Sequence, residues 1–177
     1  IGLELVHEHP ECFHDYIAVS QVVDHTRAVE MGIDWLRQEM QANKDQKGLE
    51  LLDSIENPAY NHSDYRKFAK LATSYGGNYD KSLPELALIA FKAPEYTFID
   101  YFRLLYGMNR GGKPLHANGI MTQYNYIDSI PEIDVPIYFL IGLNDRNTPY
   151  ALVEEYYSQI KAPFKRLIVF ENSAHTP

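Results

Sequence analysis

The chain has 177 residues, 45% of them hydrophobic, and a formal net charge of -8 at pH 7. That size and composition suit one globular unit, and an acidic balance with no basic run argues against nucleic acid as a partner, because only a concentrated basic surface displaces its counterions. The single cysteine, Cys12, excludes an internal disulfide framework and a multi-cysteine metal site, and no apolar run approaches the ~20 residues that span a bilayer.

The chain opens on Ile1-Gly2-Leu3-Glu4-Leu5-Val6-His7-Glu8-His9-Pro10, with no initiator Met and with apolar residues at helical spacing. It reads as the second half of a helix already under way, so an N-terminal segment is expected to be missing. A cytoplasmic location is expected from the lone cysteine; the lack of a targeting segment adds nothing, since one would have been lost with the missing part. Asp15-Tyr16-Ile17-Ala18-Val19-Ser20 is a short apolar, β-branched run and predicts a strand buried on both faces.

Helices are then predicted over residues 26–43, with the stripe Val29, Ile33, Trp35, Leu36 and Met40, and over 47–55, 65–74, 83–91 and 97–105. Asn57-Pro58, Gly76-Gly77-Asn78, Ala93-Pro94 and Gly111-Gly112-Lys113-Pro114 predict the loops between and after them. Residues 135–141 predict a second buried strand, 142–148 a turn, 149–160 a helix beginning at Pro149 after an N-cap at Thr148, and 166–170 a third strand. The expected fold class is α/β with about three parallel strands, divided into core (1–23), a helical insertion (24–129) and core again (130–177). Three strands cannot make a sheet covered on both faces, yet all three read as buried on both. The visible chain is therefore expected to be about half of a domain, needing its missing N-terminal half and unstable without it.

The chemistry is concentrated at the end. Asp145 follows the predicted second strand by a few residues, and His175 follows the third in Glu171-Asn172-Ser173-Ala174-His175. Taken alone, Asn144-Asp145 are ordinary turn formers and His175 an ordinary loop histidine. One helix and one strand separate them, however, and a right-handed crossover of that length returns the chain beside the strand it left. The two side chains then emerge at the same carboxyl edge, close enough for the carboxylate to hold one ring N–H and leave the other nitrogen as a general base.

That arrangement resembles the α/β-hydrolase fold superfamily, and its proline iminopeptidase-like branch in particular. Asp134-Val135-Pro136-Ile137-Tyr138-Phe139-Leu140-Ile141-Gly142-Leu143-Asn144-Asp145 resembles the family's strand with its catalytic acid, and residues 171–175 resemble its histidine loop. The resemblance implies that residues 1–9 continue the helix after the nucleophile elbow and that 24–129 form a cap. It implies a serine hydrolase that cleaves an ester or amide of a small molecule or short peptide through an acyl-enzyme, with His175 as base, Asp145 as its orienting acid and no cofactor. The elbow pattern G-x-S-x-G does not occur; Ala72-Thr73-Ser74-Tyr75-Gly76 has similar spacing but ends a helical pattern, so the nucleophile is expected upstream of Ile1. An aspartate there would make an epoxide hydrolase or haloalkane dehalogenase, and a non-catalytic binding protein on the same scaffold is the other alternative.

Other motifs are weaker. His7, His9, His14 and His25 lack a ligand pair at i, i+4 with an acidic partner, and Gly111-Gly112-Lys113-Pro114 lacks the elements of a phosphate loop and reads as a flexible turn. The 14 tyrosines read either as amphipathic core or as the lining of an apolar pocket between cap and core, and Glu30, Glu39 and Glu95 are acids that could meet a cationic substrate end.

Overall fold

The computed structural model describes residues 1–78, 85, 88–89, 91–117 and 119–177. Its three strands, β1 (Tyr16–Val19), β2 (Ile137–Gly142) and β3 (Lys165–Phe170), form one parallel sheet in the order β1-β2-β3. Helix α1 (Gly2–Glu8) precedes β1, and α2 (His25–Ala42), α3 (Gln46–Asp53), α4 (His62–Ser74), α5 (Phe98–Ala117) and α6 (Tyr126–Ser129) lie between β1 and β2. Helix α7 (Tyr150–Gln159) joins β2 to β3.

Local chemistry sets the helix starts. The carboxylates of Asp24 and Asp45 and the amide oxygen of Asn61 accept the first free backbone N–H groups of α2, α3 and α4, which have no carbonyl partner within their own helices. The Asn61 cap places the start of α4 three residues before the predicted 65. The larger departure is α5, which runs through Gly111-Gly112-Lys113-Pro114 where a flexible turn was expected. A proline is tolerated inside a helix when the preceding turn can open around its ring, and two residues without Cβ make that turn the easiest to open. The expected helix over 83–91 lies largely outside the described residues.

Two apolar cores result. One gathers Leu3 and Val6 of α1, Ala18 of β1, Ile137, Phe139 and Ile141 of β2 and Leu152, Val153 and Tyr156 of α7. The other joins Val29, Leu36 and Met40 of α2 to Leu52 of α3 and to Phe68, Leu71 and Ala72 of α4. Gly32 permits the close approach of α2 and α4, since a Cβ there would stand 2.6 Å from the Phe68 ring. The helical stretch leaves and rejoins the sheet at one point, where Asp24 and Asn125 form an antiparallel bridge and Tyr126 N–H donates to the Val23 carbonyl at 2.8 Å. A bidentate pair from Arg27 of α2 to Glu155 of α7, at 3.0 and 2.8 Å, adds a second tie and holds the Glu155 carboxyl below the usual carboxylate range.

Among the described residues the sheet is covered on one face. Side chains alternate across a strand, and the register puts Ala18 and Phe139 on the face packed by α1 and α7 but Ile17 and Val19 on the other, where they are 62% and 54% exposed. Among the described residues nothing covers that second face fully, so its β-branched residues meet solvent. On the covered face Phe139 is fully buried and meets the rings of Tyr156 and Tyr157 edge-on, at 5.9 and 6.0 Å between centroids. Its replacement by alanine in the full-length protein is expected to cost about 3–5 kcal/mol, read as a lowered urea midpoint at unchanged slope. Tyr156 is buried as well, satisfies its hydroxyl on the Ile130 carbonyl at 2.8 Å, and is pushed by burial above the usual phenol range.

Candidate active site

Because the strands are parallel, their carboxyl ends lie along one edge, and all three contribute to the same site. β1 ends into Ser20, β2 into the loop holding Asp145, and β3 into the loop holding His175. The two loops are laced by the backbone: Leu143 N–H donates to the Phe170 carbonyl and Asn144 N–H to the Ser173 carbonyl, both at 3.0 Å. His175 is fixed at its own backbone too. Its N–H donates to the Asn78 carbonyl at 3.1 Å, and its carbonyl accepts from the Ser20 hydroxyl at 2.8 Å. Ser20 adopts φ 46, a left-handed conformation uncommon outside glycine, where the chain turns from β1 toward the site.

Asp145 and His175, singled out in the sequence, come together. The Nδ1 of His175 lies 3.0 Å from Asp145 Oδ2. Asp145 is 0% exposed, which would be costly for a carboxylate lacking partners. It has four: Oδ1 accepts from the backbone N–H of Asn147 and Thr148, both at 2.8 Å, and Oδ2 accepts from the Thr148 hydroxyl at 2.6 Å and faces the imidazole. These fill the roughly four lone-pair positions of an ionised carboxylate. Thr148 therefore does not cap the following helix as expected; its hydroxyl is drawn to the buried carboxylate, and Pro149 occupies the cap position without a side-chain bond.

The exposed side of the imidazole is also occupied. Asn147 Nδ2 lies 3.2 Å from His175 Nε2, and Asn147 Oδ1 accepts from the Tyr65 hydroxyl of α4 at 3.2 Å. Sequence reading missed Asn147, Thr148 and Ser20 as parts of the site, and had Tyr65 only among the tyrosines that could line a pocket, without its contact to Asn147. Asn147 and Thr148 had a signal, since polar residues two and three positions after a turn aspartate can bond back to it; Ser20 had none.

The remaining candidates lie elsewhere. The Ser74 hydroxyl donates to the Leu71 carbonyl at 2.8 Å at the end of α4, consistent with a helix terminus and not with an elbow. His7 meets the Glu132 carbonyl, His9 pairs with Glu11, and His25 is buried with its ring 5.6 Å from that of Tyr65. Among the described residues no group of three or more His, Cys, Asp or Glu is arranged to hold a metal. Glu30 and Glu95 are exposed, and Glu39 lines a cleft of about 270 Å³ with Trp35, Tyr75 and Arg146, whose guanidinium lies 5.5 Å from the centre of the Trp35 ring. Neither Asp145 nor His175 lines that cleft. Among the described residues no helix is long and apolar enough to cross a membrane.

A parallel sheet with an acid and a histidine at neighbouring strand ends, and helices inserted after the preceding strand, is the C-terminal part of an α/β-hydrolase fold. The crystal structure of proline iminopeptidase from Mycobacterium smegmatis matches it with a TM-score of 0.59 at 18% identity, over 98% of this chain and 54% of that one. A probable aminopeptidase, YbaC of Bacillus subtilis (strain 168), is 28% identical over 183 residues, covering 100% of this chain and 56% of its own length. The chain thus spans little more than half the length of the relatives it matches. No family model matches it.

Proposed function

We propose that the full-length protein is a serine hydrolase that cleaves an ester or amide through an acyl-enzyme, with His175 as general base and Asp145 as the acid that orients it. The observation that carries this reading is the fully satisfied, buried Asp145 held 3.0 Å from the Nδ1 of a partly exposed histidine. With its proton on Nδ1, the ring presents Nε2 to a nucleophile's hydroxyl, takes that proton as the acyl-enzyme forms, and returns it to the leaving amine or alkoxide.

The nucleophile is assigned to a segment preceding Ile1. Among the described residues β1 is an edge strand, and a further parallel strand hydrogen-bonded to it would end beside Ser20, on the edge that holds His175. The relatives' extra length leaves room for such a strand. Residues 24–129 are assigned to a cap over this edge, supported by their separate apolar core and by the bridge between Asp24 and Asn125 where the segment leaves and returns. The relatives, a probable aminopeptidase and a proline iminopeptidase, favour a small substrate or short peptide and a serine over the aspartate nucleophile of an epoxide hydrolase or dehalogenase.

Treating the full-length protein with a fluorophosphonate probe and mapping the adduct tests this directly. The expected result is one labelled serine preceding Ile1, together with turnover of an aminoacyl p-nitroanilide. Labelling at Ser74, or turnover with no labelled serine, would dispose of the assignment.

A further inference from the structure

The second hydrogen bond of the His175 ring assigns a role to two residues outside the acid and base. We propose that Asn147 is a positioning residue that fixes His175 as the neutral, Nδ1-protonated imidazole, and that Tyr65 of α4 holds Asn147 in the orientation this requires. The inference rests on the reading in which His175 is the base.

The argument follows donors and acceptors along one chain of contacts. The Tyr65 hydroxyl donates to Asn147 Oδ1 at 3.2 Å, which turns the amide oxygen toward α4 and the amide nitrogen toward the ring. That nitrogen carries donors only, so at 3.2 Å it requires a lone pair on His175 Nε2. The ring proton then belongs on Nδ1, where Asp145 Oδ2 accepts it at 3.0 Å. Tyr65, Asn147, His175 and Asp145 thus form a run in which every donor meets an acceptor, ending on a carboxylate already anchored by Thr148 and two backbone N–H groups. The reverse amide would place Nδ2 on the Tyr65 hydroxyl, which can also accept, and Oδ1 on Nε2, where it would require a proton on that nitrogen; that is the state the Asn147 variants discriminate.

The two ends of the ring are under opposite influences. Asp145 on the β2–α7 loop favours a protonated ring, whereas a donor on the Nε2 lone pair favours the neutral one. Other polar groups stand nearby. The Ser20 hydroxyl at the end of β1 bonds to the His175 carbonyl and not to its ring, and the Arg146 guanidinium lies over Trp35. The Thr148 hydroxyl donates to Asp145, and its oxygen lies 3.4 Å from His175 Nδ1, where with its own proton so placed it can only accept, which also suits a proton on Nδ1. Asn147 also stands where a nucleophile's hydroxyl would donate, so it keeps the lone pair available until that hydroxyl replaces it. Through Tyr65, a helix of the insertion contributes to the state of the base.

The test uses the full-length protein, with two readouts: the acid limb of the kcat/KM pH profile, and the titration midpoint of His175 by imidazole NMR, which does not depend on activity. Asn147→Ala is expected to raise both by about 0.4 to 1 pH unit, the equivalent of one ordinary hydrogen bond made only by the neutral form. Tyr65→Phe is expected to raise them by less. Asn147→Asp should raise them further than Asn147→Ala, because a carboxylate beside Nε2 favours the imidazolium. All three variants keep the backbone N–H of residue 147 that supports Asp145. An NMR midpoint unmoved in both Asn147 variants overturns the proposal, even if kcat falls, because that pattern marks a merely structural role. Full activity in His175→Ala would instead remove the reading of His175 as base, and the NMR midpoints would still judge the Asn147 contact.

Discussion

In the full-length protein, His175→Ala is expected to lower kcat/KM for ester or amide hydrolysis by at least ~10³-fold while leaving the urea midpoint close to that of the parent. In the proposed mechanism the imidazole accepts the nucleophile's proton and protonates the leaving group, so both halves of an acyl transfer would lose their proton carrier. Its removal takes one of four partners from Asp145, but Oδ2 keeps the Thr148 hydroxyl and the site is open enough, with the ring 28% exposed, for water to take the vacated place. Asp145→Asn is expected to lose a comparable factor and to be less stable. The amide can supply one acceptor oxygen to the two backbone N–H groups, but its nitrogen then stands where Oδ2 now faces the Thr148 hydroxyl and His175 Nδ1. The hydroxyl can turn away; the ring must lose its bond or shift its proton to Nε2, the atom needed as a base. Steady-state kinetics alongside denaturation separates the two variants, and parent-like kcat/KM in both would remove the pair from the mechanism.

The pairing of Asp145 with His175 was legible because it depends on chain order and strand direction, which apolar runs and turn residues report directly. The surrounding cage was not, because it depends on the path of the loops. Thr148 before Pro149 satisfies every local expectation of a helix cap, yet a buried carboxylate within reach outcompetes the helix end for its hydroxyl. Tyr65 meets Asn147 across 82 positions, a contact set by the packing of α4 beside the sheet edge and invisible to periodicity. Gly111-Gly112-Lys113-Pro114 carries strong loop signals, but α5 runs on through them.

Gly142→Ala is expected to damage stability and turnover together. Gly142 closes β2 against the histidine loop: a Cβ there would stand 2.0 Å from the Ala174 carbonyl oxygen and 2.4 Å from that of Ser173. Such separations do not occur between real atoms, and the obstacles are backbone, which no rotamer change can clear. The loop would have to retreat by about 1 Å, pulling on the Asn144 to Ser173 bond and on the anchors of His175 at Ser20 and Asn78. Overpacking of this kind typically costs about 1–3 kcal/mol and more where the neighbours cannot yield, and displacing a reacting group by ~1 Å can cost about 10²-fold in rate. The substitution should therefore lower the urea midpoint and reduce kcat/KM by roughly that factor, with the loss mainly in kcat, because it moves the base and leaves the helices of the insertion untouched. Gly76 is the control: a Cβ there meets nothing within 4 Å, but φ is +81, so alanine should cost stability through backbone strain alone and leave kcat close to the parent value. If Gly142→Ala matched the parent in both measurements, the histidine loop would not be seated on the end of β2, and the approach of His175 to Asp145 would need another support.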